Sequence, residues 1–202
     1  KIVGSAPVGH DGTAAWLDAI GAACGIAQHT IDLTKDRFVA AIRGALAANP
    51  IKGRITVSGY EGSELLVARL LIESGADVPY VGSACPRTRW SDPDREWLES
   101  RGVRVNFRAS LEQDIAAVEE FRPDLAIGTT PVVQHAKQKA IPALYLTNLS
   151  SARPLMGGGS ASCSPRQTAR PLRMPSRSRR PPRLRRSLMP KGSRSASCRS
   201  PY

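Results

Sequence analysis

The sequence predicts a doubly wound α/β fold, a mostly parallel sheet with helices on both faces, and three observations carry that expectation. Short β-branched runs alternate with amphipathic segments through residues 1–156, a glycine- or serine-bearing turn follows each run, and helix-start signals recur between them. Parallel strands are joined most easily by a right-handed crossover, so each intervening helix must lie across one face of the sheet.

Taken in order, strands are expected at "KIVG" from Lys1, "RITVSG" from Arg54, "VPYVG" from Val78, "VRVNF" from Val103, "LAIGT" from Leu125 and "ALYLT" from Ala143. A helix after Gly12 runs to Cys24 and stops at Gly25. The next, Thr34 to Ala48, carries Phe38, Ile42 and Leu46 at helical spacing and ends before Pro50. Leu65, Ala68 and Ile72 mark a third helix that Gly75 terminates, because glycine accepts the left-handed conformation at a helix end. Ser91 or Asp92 caps a fourth, with Pro93 at its start; "SLEQ" from Ser110 spells a capping box, and Thr130-Pro131 repeats the cap-then-proline signal.

The net charge of +12 lies wholly in one segment. Of the 29 Lys and Arg residues, 12 fall from Gly157 onward, where no Asp or Glu occurs, so the remaining chain holds 17 basic against 17 acidic side chains. Residues 157–202 are rich in Arg, Pro and Ser, have no periodic apolar face, and are expected to be disordered. Residues encoded by GC-rich codons dominate there, the composition of a segment translated out of frame; a solvated basic interaction tail is the alternative. No aromatic residue interleaves with the arginines and no nucleic-acid fold accompanies them, so no specific nucleic-acid partner is expected.

Cys24, Cys85, Cys163 and Cys198 show neither C-x-x-C nor paired histidine spacing, which argues against a disulfide framework or a zinc site and for a reducing, cytoplasmic compartment. No apolar run approaches the ~20 residues of a membrane span. The chain opens without a methionine and with no signal-peptide pattern, and is expected to be part of a longer protein.

In doubly wound sheets ligands bind at the carboxyl ends of the strands, so the informative residues sit in "GSAPVGHDG", "SGYEGSE", "GSACPRTRWS", "GTTPVVQ" and "TNLSSARP". Gly59 and Gly62 are spaced G-x-x-G, not G-x-G-x-x-G, and no Gly-Lys-Ser/Thr occurs. Both common phosphate cradles are therefore absent, and Tyr60 and Glu61 would crowd and repel a pyrophosphate. Cys85, before Pro86, lies toward the crevice, where a lone thiol is more often packing than chemistry. Cys24, amid Ala and Gly, reads as core. His10 and Asp11 could form a metal or acid–base pair, but Asp11 before Gly12-Thr13 reads better as a helix cap. His29 has no partner in the sequence, and His135, near Lys137 and Lys139, reads as a solvated face. Arg87, Arg89 and Arg153 could hold a carboxylate or simply form surface ion pairs. No complete acid–base or nucleophile set emerges.

At these same turns the strings "PVGHDGTAAWLDAIG", "VSGYEGSELLVARLLIESGADVPYVGSACPRTRWSDPDREWL" and "FRPDLAIGTTPVVQHAKQKAIPALYLTNLSSARPLMG" resemble the Y-subunit family of the chlorophyllide a reductases, a branch of the nitrogenase component 1-type, Rossmann-like oxidoreductases. The resemblance runs through residues 1–157. It implies a role in bacteriochlorophyll biosynthesis, the reduction of the C7=C8 bond of chlorophyllide a. Electrons would come from an ATP-dependent iron-sulfur reductase and pass through a [4Fe-4S] cluster shared with a Z subunit in a heterotetramer. Carried over by position, it implies that Tyr60, Glu61, Cys85, Pro86, Thr129, Thr130, Thr147 and Asn148 approach a chlorin ring. The cluster ligands belong to an amino-terminal part missing from this fragment, so no metal ligand is assigned and the fragment alone is expected to be inactive. Thr147 stands where nitrogenase proper has a cofactor-ligating histidine, five residues after Pro142, so no such metal cofactor is expected. Read without the resemblance, the residues leave open a non-catalytic ligand-binding domain; within the family, another nitrogenase-like subunit, such as one of protochlorophyllide reductase, is the alternative.

Overall fold

The computed structural model describes residues 6–147; the expected strand at Lys1, the candidate Asn148 and the basic segment 157–202 lie outside the described residues. Five strands, β1 (Arg54–Gly59), β2 (Asp77–Ser83), β3 (Arg104–Phe107), β4 (Leu125–Gly128) and β5 (Ala143–Tyr145), form one sheet in the order β3-β2-β1-β4-β5. Every pairing is parallel. Connections run outward from β1 to β3 and then jump back to β4, so the topological switch point lies between β1 and β4.

Among the described residues, six helices accompany the sheet: α1 (Gly9–Cys24), α2 (Gln28–Ala48), α3 (Glu64–Glu73), α4 (Asp92–Glu99), α5 (Leu111–Phe121) and α6 (Thr130–Gln138). The larger core joins Leu65 and Ala68 of α3 and Leu98 of α4 to Ile55, Val57 and Val81 of the strands. A second core joins Val118 of α5 and Val132 and Ala136 of α6 to Ala126 of β4. Both faces of the sheet are thus covered, which explains why β1 is buried at every position after Arg54 instead of alternating. Each such buried Val, Leu or Ile contributes about 1.5–3 kcal/mol relative to exposure. No helix among the described residues is long and apolar enough to cross a membrane.

Helix α5 begins as expected: Ser110 Oγ accepts from Gln113 N while Gln113 Oε1 accepts from Ser110 N, a complete capping box. Gly75, at φ +97°, ends α3 and donates to Ile72 O. Other expectations need correction. Helix α2 starts at Gln28, not Thr34; no breaker separates the two, and Gln28 Nε2 to Asp32 and Thr34 Oγ1 to the carbonyl of Thr30 hold the early turns. Cys24 is exposed rather than core, because the α1–α2 corner turns away from the sheet. Thr130 is the first helical residue of α6; the cap position is Thr129, whose side chain makes no cap bond. His135 is tied down, its Nε2 3.1 Å from Glu119 Oε1 on α5, with Lys139 Nζ on the same oxygen.

Beneath α5 a buried polar pair replaces hydrocarbon. Tyr80 of β2 donates to Asp114 Oδ1 at 2.9 Å, and its ring stacks on Phe121. Both polar groups lie over Gly82, where a Cβ would overlap Asp114 Oδ1 and sit 2.8 Å from the Tyr80 hydroxyl. Burial, opposed by the Tyr80 bond and assisted by the negative charge of Glu64, pushes the Asp114 carboxyl up to about 6 from its ordinary 3.8.

The folded carboxyl therefore holds its proton where the unfolded one has lost it. Its contribution to stability is fully present below about pH 4 and declines as pH rises through about 6, by on the order of 3 kcal/mol in all. Asp114→Asn keeps an acceptor for Tyr80 without the ionisation. Urea unfolding is expected to show the variant more stable than wild type near pH 8, with the gap narrowing as pH falls below about 6 and closing near pH 4. Parallel pH profiles for the two proteins would contradict the assignment.

Candidate functional site

The turn after β1 is organised by a carboxylate. Glu64, the first residue of α3, is fully buried. Its Oε1 accepts the backbone N–H of Glu61 at 2.7 Å and of Gly62 at 3.2 Å, while its Oε2 accepts the Ser83 hydroxyl at 2.8 Å. Backbone donors gathered ahead of a helix are what a phosphate uses in nucleotide-binding sheets, and here the chain's own side chain takes them. Gly59 permits the approach, since a Cβ there would meet both Glu64 and Leu146, and Gly62, at φ +79°, supplies the left-handed residue of the turn. Ser83 ends β2, so one carboxylate locks the ends of two neighbouring strands.

This lock sets the positions of the expected site residues. Tyr60 is 63% exposed at the edge of the turn, and Cys85 Sγ donates to the Tyr60 carbonyl at 3.5 Å. Beside them opens a cleft of about 310 Å³, lined among others by Gly62, Ser83, Cys85, Trp90, Asp94 and Phe107. Pro86 lines it as well, and Trp90 is 42% exposed. Its volume is at the small end of ligand pockets, about 300–1,000 Å³. Arg87 is paired with Asp92 at 2.6 Å and Arg89 lies over the Trp90 ring, so neither waits for a carboxylate; Arg153 is outside the described residues.

Thr129 and Thr130 lie across the switch point, where β4 passes into α6, and Thr147 follows β5 in a helical turn. The structure thus places Tyr60, Glu61, Cys85 and Pro86 at one end of the carboxyl edge and Thr129, Thr130 and Thr147 at the other. Residues that sequence reading passed over are Glu64, Ser83, Asp94, Trp90 and Phe107. Glu64 had one signal, an acidic residue heading a helix directly after a glycine turn. A buried carboxylate with no cation nearby in sequence is otherwise invisible.

Asp11 is not the cap of α1. The cap position is Val8, and the amides of His10 and Asp11 instead donate to the Glu73 carboxylate of α3 at 2.6 and 3.3 Å. Burial raises the Glu73 carboxyl above its ordinary value, against the pull of the His10 amide. Asp11 bonds His10 Nδ1 at 2.8 Å and Trp97 Nε1 at 3.3 Å; although burial opposes it, the His10 charge, those bonds and Arg69 hold its carboxyl low. His10, Asp11 and Glu73 are close enough to share an ion, but their oxygens already satisfy backbone and indole donors, so the cluster joins α1 to α3. Next to it, the buried Arg69 pairs with Asp94 and its guanidinium lies over the Trp97 ring. Cys24 and Cys85 sit on unconnected elements, and these two thiols do not make a ligand set for an iron–sulfur cluster.

The fold and these turns define a class: an open, doubly wound parallel sheet whose carboxyl edge carries an aromatic and small-polar cleft, with its phosphate position filled from within. Residues 1–171 match the nitrogenase component 1 type oxidoreductase family, and the chain belongs to it. It is 71% identical over 160 residues to the chlorophyllide reductase 52.5 kDa chain of Cereibacter sphaeroides, covering 79% of this chain and 32% of that one. Against the same protein of Rhodobacter capsulatus the identity is 69% over the same shares. The light-independent protochlorophyllide reductase subunit N of Cyanophora paradoxa is 28% identical over 129 residues, 60% of this chain and 28% of that one. A solved nitrogenase Cp1 structure matches with a TM-score of 0.52 at 17% identity, over 77% of this chain and 36% of that chain, which bears on the fold alone. The chain spans about a third of the length of the chlorophyllide reductase chains it matches.

Glu64→Ala would leave two amides and a serine hydroxyl buried without an acceptor. The expected loss of stability is about 2–4 kcal/mol, read by denaturant unfolding. Glu64→Gln, which keeps an acceptor, is expected to recover part of it. A neutral Glu64→Ala would remove the carboxylate from its role as the lock of the turn.

Proposed function

We propose that this chain is part of the catalytic component of a chlorophyllide a reductase, acting within a Y-type subunit that reduces the C7=C8 bond of chlorophyllide a in bacteriochlorophyll biosynthesis. The observation that carries the reading is the 71% identity over 160 residues to a chlorophyllide reductase chain. Electrons come from an ATP-dependent iron-sulfur reductase, and a [4Fe-4S] cluster is held by cysteines of the full-length Y and Z subunits outside the described residues. The setting is cytoplasmic. We read residues 1–156 as the family domain and residues 157–202 as a basic segment, the first 15 residues of which the family match still takes in.

The chemistry available from this chain is that of a wall. Tyr60 and Trp90 offer exposed aromatic surface on which a planar macrocycle can lie, and Cys85, Pro86 and Phe107 extend it with groups of low polarity. A tetrapyrrole overfills a cleft of about 310 Å³, so one face or edge of it rests here and the opposite side needs a second wall. The Z subunit supplies that wall. With its phosphate position occupied by Glu64, the turn after β1 favours such an uncharged ring over a nucleotide.

The reading is tested with the full-length subunit, alone and with its Z partner, by anaerobic absorption titration with chlorophyllide a. Binding is expected only for the assembled pair, and Tyr60→Ala is expected to weaken it by roughly 1–2 kcal/mol, the scale of one lost aromatic contact. Tight stoichiometric binding by the isolated subunit, or an unchanged affinity in Tyr60→Ala, would count against this arrangement.

A further inference from the structure

Helix α2 is covered on one side only. It is 21 residues long, and of its side chains only Ile31 and Ile42 are buried. Ile31 packs on Gly21 of α1, where a Cβ would stand 2.7 Å from its Cδ1, and α1 is the element that α2 mainly contacts. Of the large hydrophobic side chains exposed among the described residues, Tyr60 and Trp90 belong to the cleft and Leu111 heads α5; the other three, Ile26, Leu33 and Phe38, lie on the α1–α2 hairpin.

The pattern of residues along α2 calls for a second covered side. Successive residues of a helix turn by about 100°, so Leu33, Gly44, Ala48, Ala41 and Phe38 follow one another round a stripe roughly 140° wide, while the exposed Asp32, Asp36 and Arg43 fall outside it. Arg37 is the one charged residue in the stripe, and its guanidinium lies over the Phe38 ring. A solvated face carries charge along its length; a helix that is apolar on its inner and its outer side is an interior helix. Gly44 adds an observation independent of the exposed hydrophobics. Glycine is among the least favourable residues inside a helix, and nothing lies within 4 Å of where its Cβ would be, so no contact among the described residues accounts for it. With Ala48 four positions on, it forms a shallow groove of the kind that receives a ridge of another helix.

We propose that the Leu33–Phe38 face of α2 is an interior surface of the full-length subunit, covered by a helix from the part of the same polypeptide that lies outside this chain. The match covers 32% of each related chlorophyllide reductase chain, which leaves ample polypeptide to cover it. A segment of the same polypeptide reaches the face at high effective concentration, without the loss of translational freedom that a separate chain incurs. Small uncharged residues, with the one arginine engaged by Phe38, also hold nothing that would steer or select a separate partner. The α1–α2 hairpin, held to the sheet by the first turn of α1, thereby joins this domain to the rest of the subunit. The assignment stands on the length of the relatives and the geometry of α2, and is independent of the pigment.

The test is hydroxyl-radical footprinting of the full-length subunit, alone and with its Z partner. Leu33 and Phe38 are expected to be modified about tenfold more slowly than in the urea-unfolded subunit, in the subunit alone and in the complex alike. Modification as fast as in the unfolded chain overturns the proposal. Protection that appears only when Z is added, or that is lost when the subunit is diluted to a monomer, overturns it too, because the face then belongs to a partner or a second copy. Gly44→Leu separates a covered face from an open one by sign. In the 202-residue chain, where nothing stands near the position, leucine is expected to leave the melting temperature unchanged or raise it; in the full-length subunit it is expected to lower it by several degrees or to prevent folding. A full-length Gly44→Leu subunit that melts at or above wild type overturns the covered face.

Discussion

The carboxylate of Glu64 is the constraint on which the functional edge depends. Placing a charged oxygen pair in a fully buried position is costly, and the structure offsets that cost with three hydrogen bonds and the positive end of α3. The return is geometric. Because Glu61 and Gly62 are bound through their backbone and Ser83 through its hydroxyl, the ends of β1 and β2 are held in register, and Tyr60 and Cys85 are displayed by a rigid turn. Nucleotide-binding sheets of this topology keep that position open. Here it is closed, and the space for a ligand shifts toward β2, β3 and α4.

A second group of polar contacts fixes α1, which is outside the sheet–helix layers. The amide end of α1 is bound by Glu73, Asp11 reaches Trp97, and Arg69 and Arg101 both lie against the Trp97 ring, so α3 and α4 together hold the helix by its first turn. Helix α2 contacts mainly α1 and leaves Leu33 and Phe38 exposed. The hairpin is anchored at one end by charge and hydrogen bonding rather than by an apolar seam, and its attachment depends on two carboxylates whose affinities for protons are displaced in opposite directions.

The sheet and its four crossings were legible because they are written in local patterns: β-branched runs, a capping box at Ser110, a left-handed stop at Gly75. The start of α2 was not, because a helix that opens without a cap or a proline leaves no mark, and only its side-chain bonds at Gln28 and Thr34 reveal the boundary. Cys24 was misread since composition around it resembles a core while the corner carries it into solvent. At the site, the turns were found by topology but their ordering residue was not. Glu64 lies in the same string as Tyr60 and Glu61, and only three-dimensional proximity to Ser83, nineteen positions away, tells a buried acceptor from a solvated acid. The same holds for Asp11, whose cap-like sequence position is occupied in space by Glu73.

The two sides of the switch point solve one electrostatic problem in opposite ways. Each parallel strand delivers a helix amino end, and hence a partial positive charge, to the same edge. At β1 that charge is cancelled internally by Glu64, so the adjoining surface can be aromatic and neutral; at β4 it is left uncancelled. The edge thus carries one helix end quenched from within, at Glu64, and one with no acidic residue or side-chain cap of its own, at Thr130.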